Sequence, residues 1–87
     1  MHQIAFVEGQ TLETEMADTA ILGLRLHEGL DLSEFESRFG RSFDDAYGPV
    51  LAEPMSFGLI EPESGRMRLT KRGRLLANEV FVRLLPD

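Results

Sequence analysis

The fold class legible in this sequence is mainly α-helical with one small β-hairpin. Three observations carry it. Apolar residues recur at helical spacing in three successive stretches between residues 12 and 57, each bounded by capping residues or glycine. After Gly58 the apolar period changes from about 3.6 to about 2. A threonine at position 70 then restarts helical spacing.

The chain opens on Met1-His2-Gln3 and a short apolar run, Ile4–Val7, that ends at Gly9. Residues 1–10 read as a linker or extended N-terminal segment whose apolar face suits a neighbour. The first clear helix is expected over Leu12–Leu26, with Leu12, Met16, Ala20 and Leu24 in an i, i+4 row widened by Ala17 and Ile21. Glu13 and Glu15 complement the dipole at its start. Gly23 costs about 1 kcal/mol inside a helix, which is best explained by another backbone packing closely there. Leu22 and Leu26 lie off the main stripe, so the last two turns are apolar nearly all round, as in a central helix.

The second helix is short and well punctuated. Asp31 is its N-cap, with Glu34 three residues on, and Gly40 closes it in the left-handed conformation. Leu30 and Phe35 are placed for a hydrophobic staple, and Leu32, Phe35 and Phe39 face inward. Ser42 caps a third segment in which Phe43, Ala46, Tyr47, Val50, Leu51 and Met55 keep helical period. Each interior proline removes a backbone hydrogen bond and costs about 3 kcal/mol. A break is therefore expected at Gly48-Pro49, with a kink near Pro54. Leu59–Glu61 and Arg66–Leu69 read as strands around the turn Pro62-Glu63-Ser64-Gly65, with Ile60, Met67 and Leu69 inward and Arg66 and Arg68 toward water. Thr70 caps a final helix over about Lys71–Leu85, with Leu76, Ala77, Val80, Phe81 and Leu84 inward, and Pro86 stops it. Three helices, a two-stranded wing and a closing helix over residues 11–87 make a winged-helix-like domain.

Composition narrows the function classes. Eighty-seven residues suffice for one domain and not for two. With 43% hydrophobic residues the chain is too apolar for disorder. The longest nearly apolar run, Ala20–Leu24, falls far short of a membrane span, and no signal-peptide pattern opens the chain, so a cytoplasmic location is expected. There is no cysteine, which removes disulfides, thiolate nucleophiles, zinc knuckles and iron–sulfur ligation from this chain's own chemistry.

The net charge of −6 is unevenly spread. Residues 1–63 hold thirteen acids against three bases (Arg25, Arg38, Arg41), whereas residues 64–87 hold six bases against two acids. Winged helices often place the helix before the wing in the major groove. Here that helix carries Asp44, Asp45 and Glu53 and no cation, so DNA is not the expected partner. The cations gather instead in Arg66, Arg68, Lys71, Arg72 and Arg74. Three of these stand at a helix N-terminus, where the dipole disfavours them by about 0.3–1 kcal/mol each. Ion pairs to Glu61 and Glu63, an acidic partner surface, or a phosphate or carboxylate ligand would each offset that cost.

No reaction centre is legible. His27 and Glu28 are adjacent and point about 100° apart on a helix, so they form no dyad; a histidine near a helix C-terminus is favoured there anyway. Asp44-Asp45 are explained by the dipole of the helix they open, and no glycine-rich phosphate loop is present. The chain is thus expected to hold no catalytic, cofactor or metal residue, and its candidates are interface contacts: Arg25, Glu28, Arg66, Arg68, Lys71, Arg72 and Arg74. Arg25, the one cation in an apolar stretch, suits either an internal pair with Glu28 or Asp31 or a neighbouring surface.

Several ordered strings carry a resemblance: Leu22-Gly23-Leu24-Arg25-Leu26, Glu28-Gly29-Leu30-Asp31-Leu32, Phe35, Arg38-Phe39-Gly40, and the run Arg68–Val80. Together, over residues 13–84, they resemble the C-terminal domain of the oxygen-independent coproporphyrinogen III oxidase-like family, radical S-adenosylmethionine proteins that include a haem-chaperone branch. Pro49 and Pro54 depart from the family's usual charged helix formers. The resemblance implies an upstream radical-S-adenosylmethionine barrel that carries the [4Fe–4S] cluster, the S-adenosylmethionine site and the porphyrin contacts, none of which maps onto this chain. It implies oxidative decarboxylation of porphyrinogen propionates in one branch and haem binding and delivery in the other, with the compact helix–wing order closer to the second. A free-standing winged-helix regulator and a free-standing protein-interaction module are the alternatives.

Overall fold

The computed structural model describes the backbone of residues 2–86 and the side chains of residues 12–86. Five helices and a three-stranded antiparallel sheet alternate as α1 (His2–Arg25), β1 (Leu30–Asp31), α2 (Leu32–Phe39), α3 (Phe43–Ser56), β2 (Ile60–Glu63), β3 (Arg66–Leu69), α4 (Lys71–Leu75) and α5 (Ala77–Phe81). The mainly α class with a small β element is borne out. Among the described residues no helix is long and apolar enough to cross a membrane.

The backbone of residues 2–10 is not extended: α1 begins at His2. Once a helix is nucleated, each added residue gains one hydrogen bond, and no proline interrupts the stretch. The apolar face expected of Ile4–Val7 lies outside the described side chains. Farther along α1, Met16, Ala17, Ala20 and Leu24 are buried as the stripe requires, while Leu12 is exposed. Gly23 does admit a close neighbour, but a side chain ahead of the expected backbone: a Cβ there would stand 2.5 Å from Leu30 Cδ1 and 3.1 Å from Leu30 Cα. The expectation of a central helix fails at its last turns. Leu22 and Leu26 are 61% and 50% exposed, because the sheet covers one side of α1 only.

The caps stand where expected. Glu34 N donates to Asp31 Oδ1 at 3.0 Å, Asp45 N to Ser42 Oγ at 3.0 Å and Gly73 N to Thr70 Oγ1 at 2.9 Å, and Gly40 ends α2 with φ of 76°. The break expected at Gly48-Pro49 does not occur, and α3 runs unbroken through both prolines. Gly48 lacks the Cβ that would clash with the Pro49 ring. The Asp45 carbonyl, which Pro49 cannot bond, accepts from Arg41 Nη2 at 3.2 Å instead. Pro54 is fully buried.

The sheet has one strand more than expected. Leu30 and Asp31 pair with Met67 and Arg66, so β3 is central and the order is β1-β3-β2. Ile60 pairs with Leu69 and Glu63 with Arg66, which carries β2 two residues into the expected turn. Pro62 is tolerated because β2 is an edge strand. The turn reduces to Ser64-Gly65, both at positive φ, as a tight right-twisted hairpin demands. One face of the sheet buries Leu30, Ile60, Met67 and Leu69 against the helices. Beside it, Phe35, Phe39, Phe43 and Tyr47 form a ring cluster with centroids 4.8–6.3 Å apart.

The closing helix is two helices. α4 stops at Leu75, Leu76 turns to φ −121°, and α5 begins at Ala77. The cause is tertiary: Gly73 is seated on the Leu59 carbonyl, so the chain must re-aim at Leu76 before Val80, Phe81 and Leu84 can reach the core. Leu76, expected inward, is consequently 46% exposed. A Cβ on Gly73 would overlap the Leu59 carbonyl oxygen, which backbone cannot vacate cheaply. Gly73→Ala should therefore lose about 4 kcal/mol or more in urea denaturation. Gly40→Ala meets open space and pays only for its left-handed backbone, about 1–2 kcal/mol.

Candidate functional site

The seven candidate interface residues do not converge. Arg25 ends α1, and its guanidinium lies 5.1 Å from the centre of the Phe81 ring. Its expected internal pair with Glu28 or Asp31 is absent. The helix stops at Arg25, so Glu28 belongs to the following turn, and Asp31 is already engaged. Asp31 caps α2 through Oδ1 and faces Arg66 Nη2 through Oδ2 at 3.6 Å. Arg66 also donates from Nη1 to the Gly29 carbonyl at 3.3 Å. Arg68 Nη1 donates to Glu63 Oε1 at 2.7 Å, while its buried Nε has no partner. Neither arginine simply points to water: both knit the outer face of the sheet, Arg66 across to β1 and Arg68 across to β2.

Lys71, Arg72 and Arg74 behave differently. All three are exposed on α4, and among the described residues none forms an ion pair. Of the pairings that would offset their placement, the one with Glu63 goes to Arg68. Arg72 borders a cleft of about 380 Å3 between the end of α3, the base of the hairpin and the α4–α5 junction. Pro54 and Leu59 form its floor, and Phe57 and Leu76 line it with 57% and 46% of their surfaces exposed. Arg83 also lines it, with Nη2 meeting Glu53 Oε1 at 2.9 Å and Nη1 meeting Glu79 Oε1 at 3.6 Å. Phe57, Leu76 and Arg83 were not among the candidates. Phe57 directly before Gly58 was the available signal, because an aromatic at a helix C-cap lies outside the periodic stripe.

A second cleft, of about 410 Å3, lies between α1, α3 and the C-terminal residues and includes Glu13, Met16, Arg41, Tyr47 and Leu84. Burial raises the Tyr47 hydroxyl above its ordinary pKa; Arg41 opposes the rise and Glu13 adds to it. His27 and the Asp44-Asp45 pair meet no cluster of ligating groups. Among the described residues no three His, Cys, Asp or Glu side chains are grouped to hold a metal ion.

A sequence model of the HemN C-terminal domain matches residues 10–76. The chain belongs to the HemN C-terminal domain family. This bears out the resemblance carried by the strings from Leu22 to Val80. The HemN C-terminal domain match covers the sheet, α1 from Gln10 onward, α2, α3 and the α4 cations, and stops at Leu76. Among similar proteins, the heme chaperone HemW of Bacillus subtilis (strain 168) is 37% identical over 71 residues, 82% of this chain and 19% of that protein. The heme chaperone HemW of Lactococcus lactis subsp. lactis (strain IL1403) is 31% identical over 75 residues, 86% of this chain and 20% of that protein. The chain thus spans about one fifth of the length of the curated relatives it matches. No solved structure matches it.

The raised Tyr47 pKa gives a pH dependence with a definite sign. The folded chain holds the phenolic proton more tightly than the unfolded chain, so the associated stability is complete below the ordinary tyrosine pKa of about 10. It is lost as pH rises through the folded-state value. Urea midpoints should fall above about pH 10, and Tyr47→Phe should fall less steeply over that range than the parent.

Proposed function

We propose that this chain is the C-terminal accessory domain of a radical S-adenosylmethionine protein of haem metabolism, nearer the haem-chaperone branch than the oxidase branch. Its role is to pack against the catalytic barrel as a docking body, in the cytoplasm. The observation that carries the reading is the family match over residues 10–76 in a chain that spans one fifth of relatives named as haem chaperones. Exposed apolar side chains agree with it. Single exposed leucines are ordinary, but Leu22 in the last turn of α1 and Leu26 just beyond it are both exposed, and Phe57 and Leu76 share one cleft.

The group chemistry of the parent family does not fit these residues. A [4Fe–4S] cluster needs thiolate ligands, and the chain has no cysteine. Among the described residues no other donor set is grouped to replace them. Cluster, S-adenosylmethionine and porphyrin or haem therefore belong to the barrel in this reading, and no step is assigned to this chain.

DNA is a poor partner for the same surface. α3 presents Asp44, Asp45 and Glu53 without a cation, and Arg66 and Arg68 are occupied by Asp31 and Glu63. A labelled DNA duplex titrated with the chain at about 50 mM salt should give a flat anisotropy trace.

The decisive test uses 15N-labelled chain and the radical-S-adenosylmethionine barrel polypeptide encoded in the same organism. NMR reads the complex even if docking in trans is as weak as millimolar, as expected where a linkage normally raises the effective concentration. A localised, saturable set of amide shifts is the expected result. Spectra unchanged at saturating barrel would overturn the reading.

A further inference from the structure

We propose that the cleft bounded by Phe57, Leu76 and Arg72 receives an apolar side chain from an acidic polypeptide segment, whose carboxylates pair with Arg72 and its α4 neighbours Lys71 and Arg74. The proposal rests on the docking-body reading and goes further by naming the face and the chemistry of what covers it.

The apolar half of the argument is the cleft itself. Pro54 and Leu59 are buried and give the lining a fixed part, while Phe57 and Leu76 line it half open to solvent. A volume of about 380 Å3 lies at the low end for ligand clefts, room for a large side chain and a neighbour rather than an extended small molecule. Aromatic and arginine side chains at the edge of an apolar depression are the groups that dominate protein–protein contacts.

The polar half is charge complementarity. The chain has six more acids than bases, yet among the described residues none of its acids forms an ion pair with α4. Arg38, Arg41, Arg66, Arg68 and Arg83 each find a carboxylate, whereas among the described residues Lys71, Arg72 and Arg74 find none. Of the other charged groups at the cleft, Glu79 is paired with Arg83, which also holds Glu53, so Arg72 is the lining cation left without a carboxylate among the described residues. The incoming segment is thereby oriented, its acids toward α4 and its apolar anchor between Phe57 and Leu76. Phosphate polymers and anionic bilayers carry dense negative charge over a wide area, and a chain of net charge −6 repels them as a whole. A short acidic stretch of protein meets the patch alone.

Two arms test the proposal separately from the reading it rests on. In the first, a fluorescein-labelled synthetic peptide with paired Leu and Phe anchors flanked by Glu is titrated into the chain, beside a Glu-to-Gln version. The acidic peptide should bind, with amide shifts at residues 57–59 and 71–79. Arg72→Glu and Phe57→Ser should each weaken it about tenfold or more, while Arg66→Gln on the outer sheet face leaves it unchanged. Both cleft side chains are exposed, so neither variant should move the urea midpoint appreciably. Equal binding of the Gln peptide, no binding of either peptide, or insensitivity to Arg72→Glu overturns the proposal. In the second arm the same variants meet the barrel polypeptide. Docking that is lost with Arg72→Glu supports the cleft. Docking that ignores both cleft variants sinks the cleft but keeps the docking body, whereas absence of docking by the parent chain sinks the docking body while the peptide arm still judges the cleft.

Discussion

Thr70 ties three elements together at one point. Its hydroxyl donates to the Gly58 carbonyl at 2.6 Å and accepts from Gly73 N at 2.9 Å, while its own N–H bonds the Leu59 carbonyl at 3.0 Å. The end of α3, the end of the hairpin and the start of α4 are thus held by one residue. Gly73 makes the arrangement possible, because only a residue without a side chain can sit on the Leu59 carbonyl at that separation. Everything C-terminal to the hairpin inherits this position. Leu76 lines the cleft with Phe57 because α4 is anchored too close to the sheet to continue as a single straight helix.

Charge is spent locally wherever it can be. Asp31 serves at once as helix cap and as partner of Arg66, joining the start of α2 to the sheet. Arg38 reaches from α2 to Glu15 at 3.6 Å on α1, and Arg83 from beyond α5 to Glu53 on α3. These pairs are largely solvent-exposed, and each adds at most about 1 kcal/mol. Their larger effect is on specificity: they consume the described cations outside α4 except Arg25, which stacks on the Phe81 ring. The residual positive patch on α4 is what remains after internal pairing, not a general property of an acidic chain.

Much of this was legible in the sequence, and what was not has identifiable causes. Caps at Asp31, Ser42 and Thr70 and the stop at Gly40 depend on chemistry within three or four residues, which a linear reading captures. The hairpin registered because alternation and a Ser-Gly turn are equally local. β1 escaped because two residues cannot show a period, and Leu30-Asp31 already had a sufficient role as staple and cap. In the unbroken α3 Arg41 satisfies the Asp45 carbonyl that Pro49 leaves free, and the divided closing helix follows from Gly73 meeting Leu59; neither is written in apolar spacing. Arg25 settles on Phe81, fifty-six positions away, where no search for a nearby acid would find it. The cleft was hidden for a related reason, since periodicity assigned Leu76 inward on a helix the fold does not permit.

The segregation of charge also settles how a weak site becomes a selective one. A half-open pair such as Phe57 and Leu76 offers the same apolar surface to any hydrophobic group, and by itself discriminates little. Arg72 adds attraction for carboxylates, while the acids on the rest of the surface add repulsion for the same groups everywhere else. An acidic segment is therefore driven away from misplaced encounters and held only where its anchor can enter. Attraction at one face and repulsion at the others select register together, which neither the apolar cleft nor the cations would achieve alone.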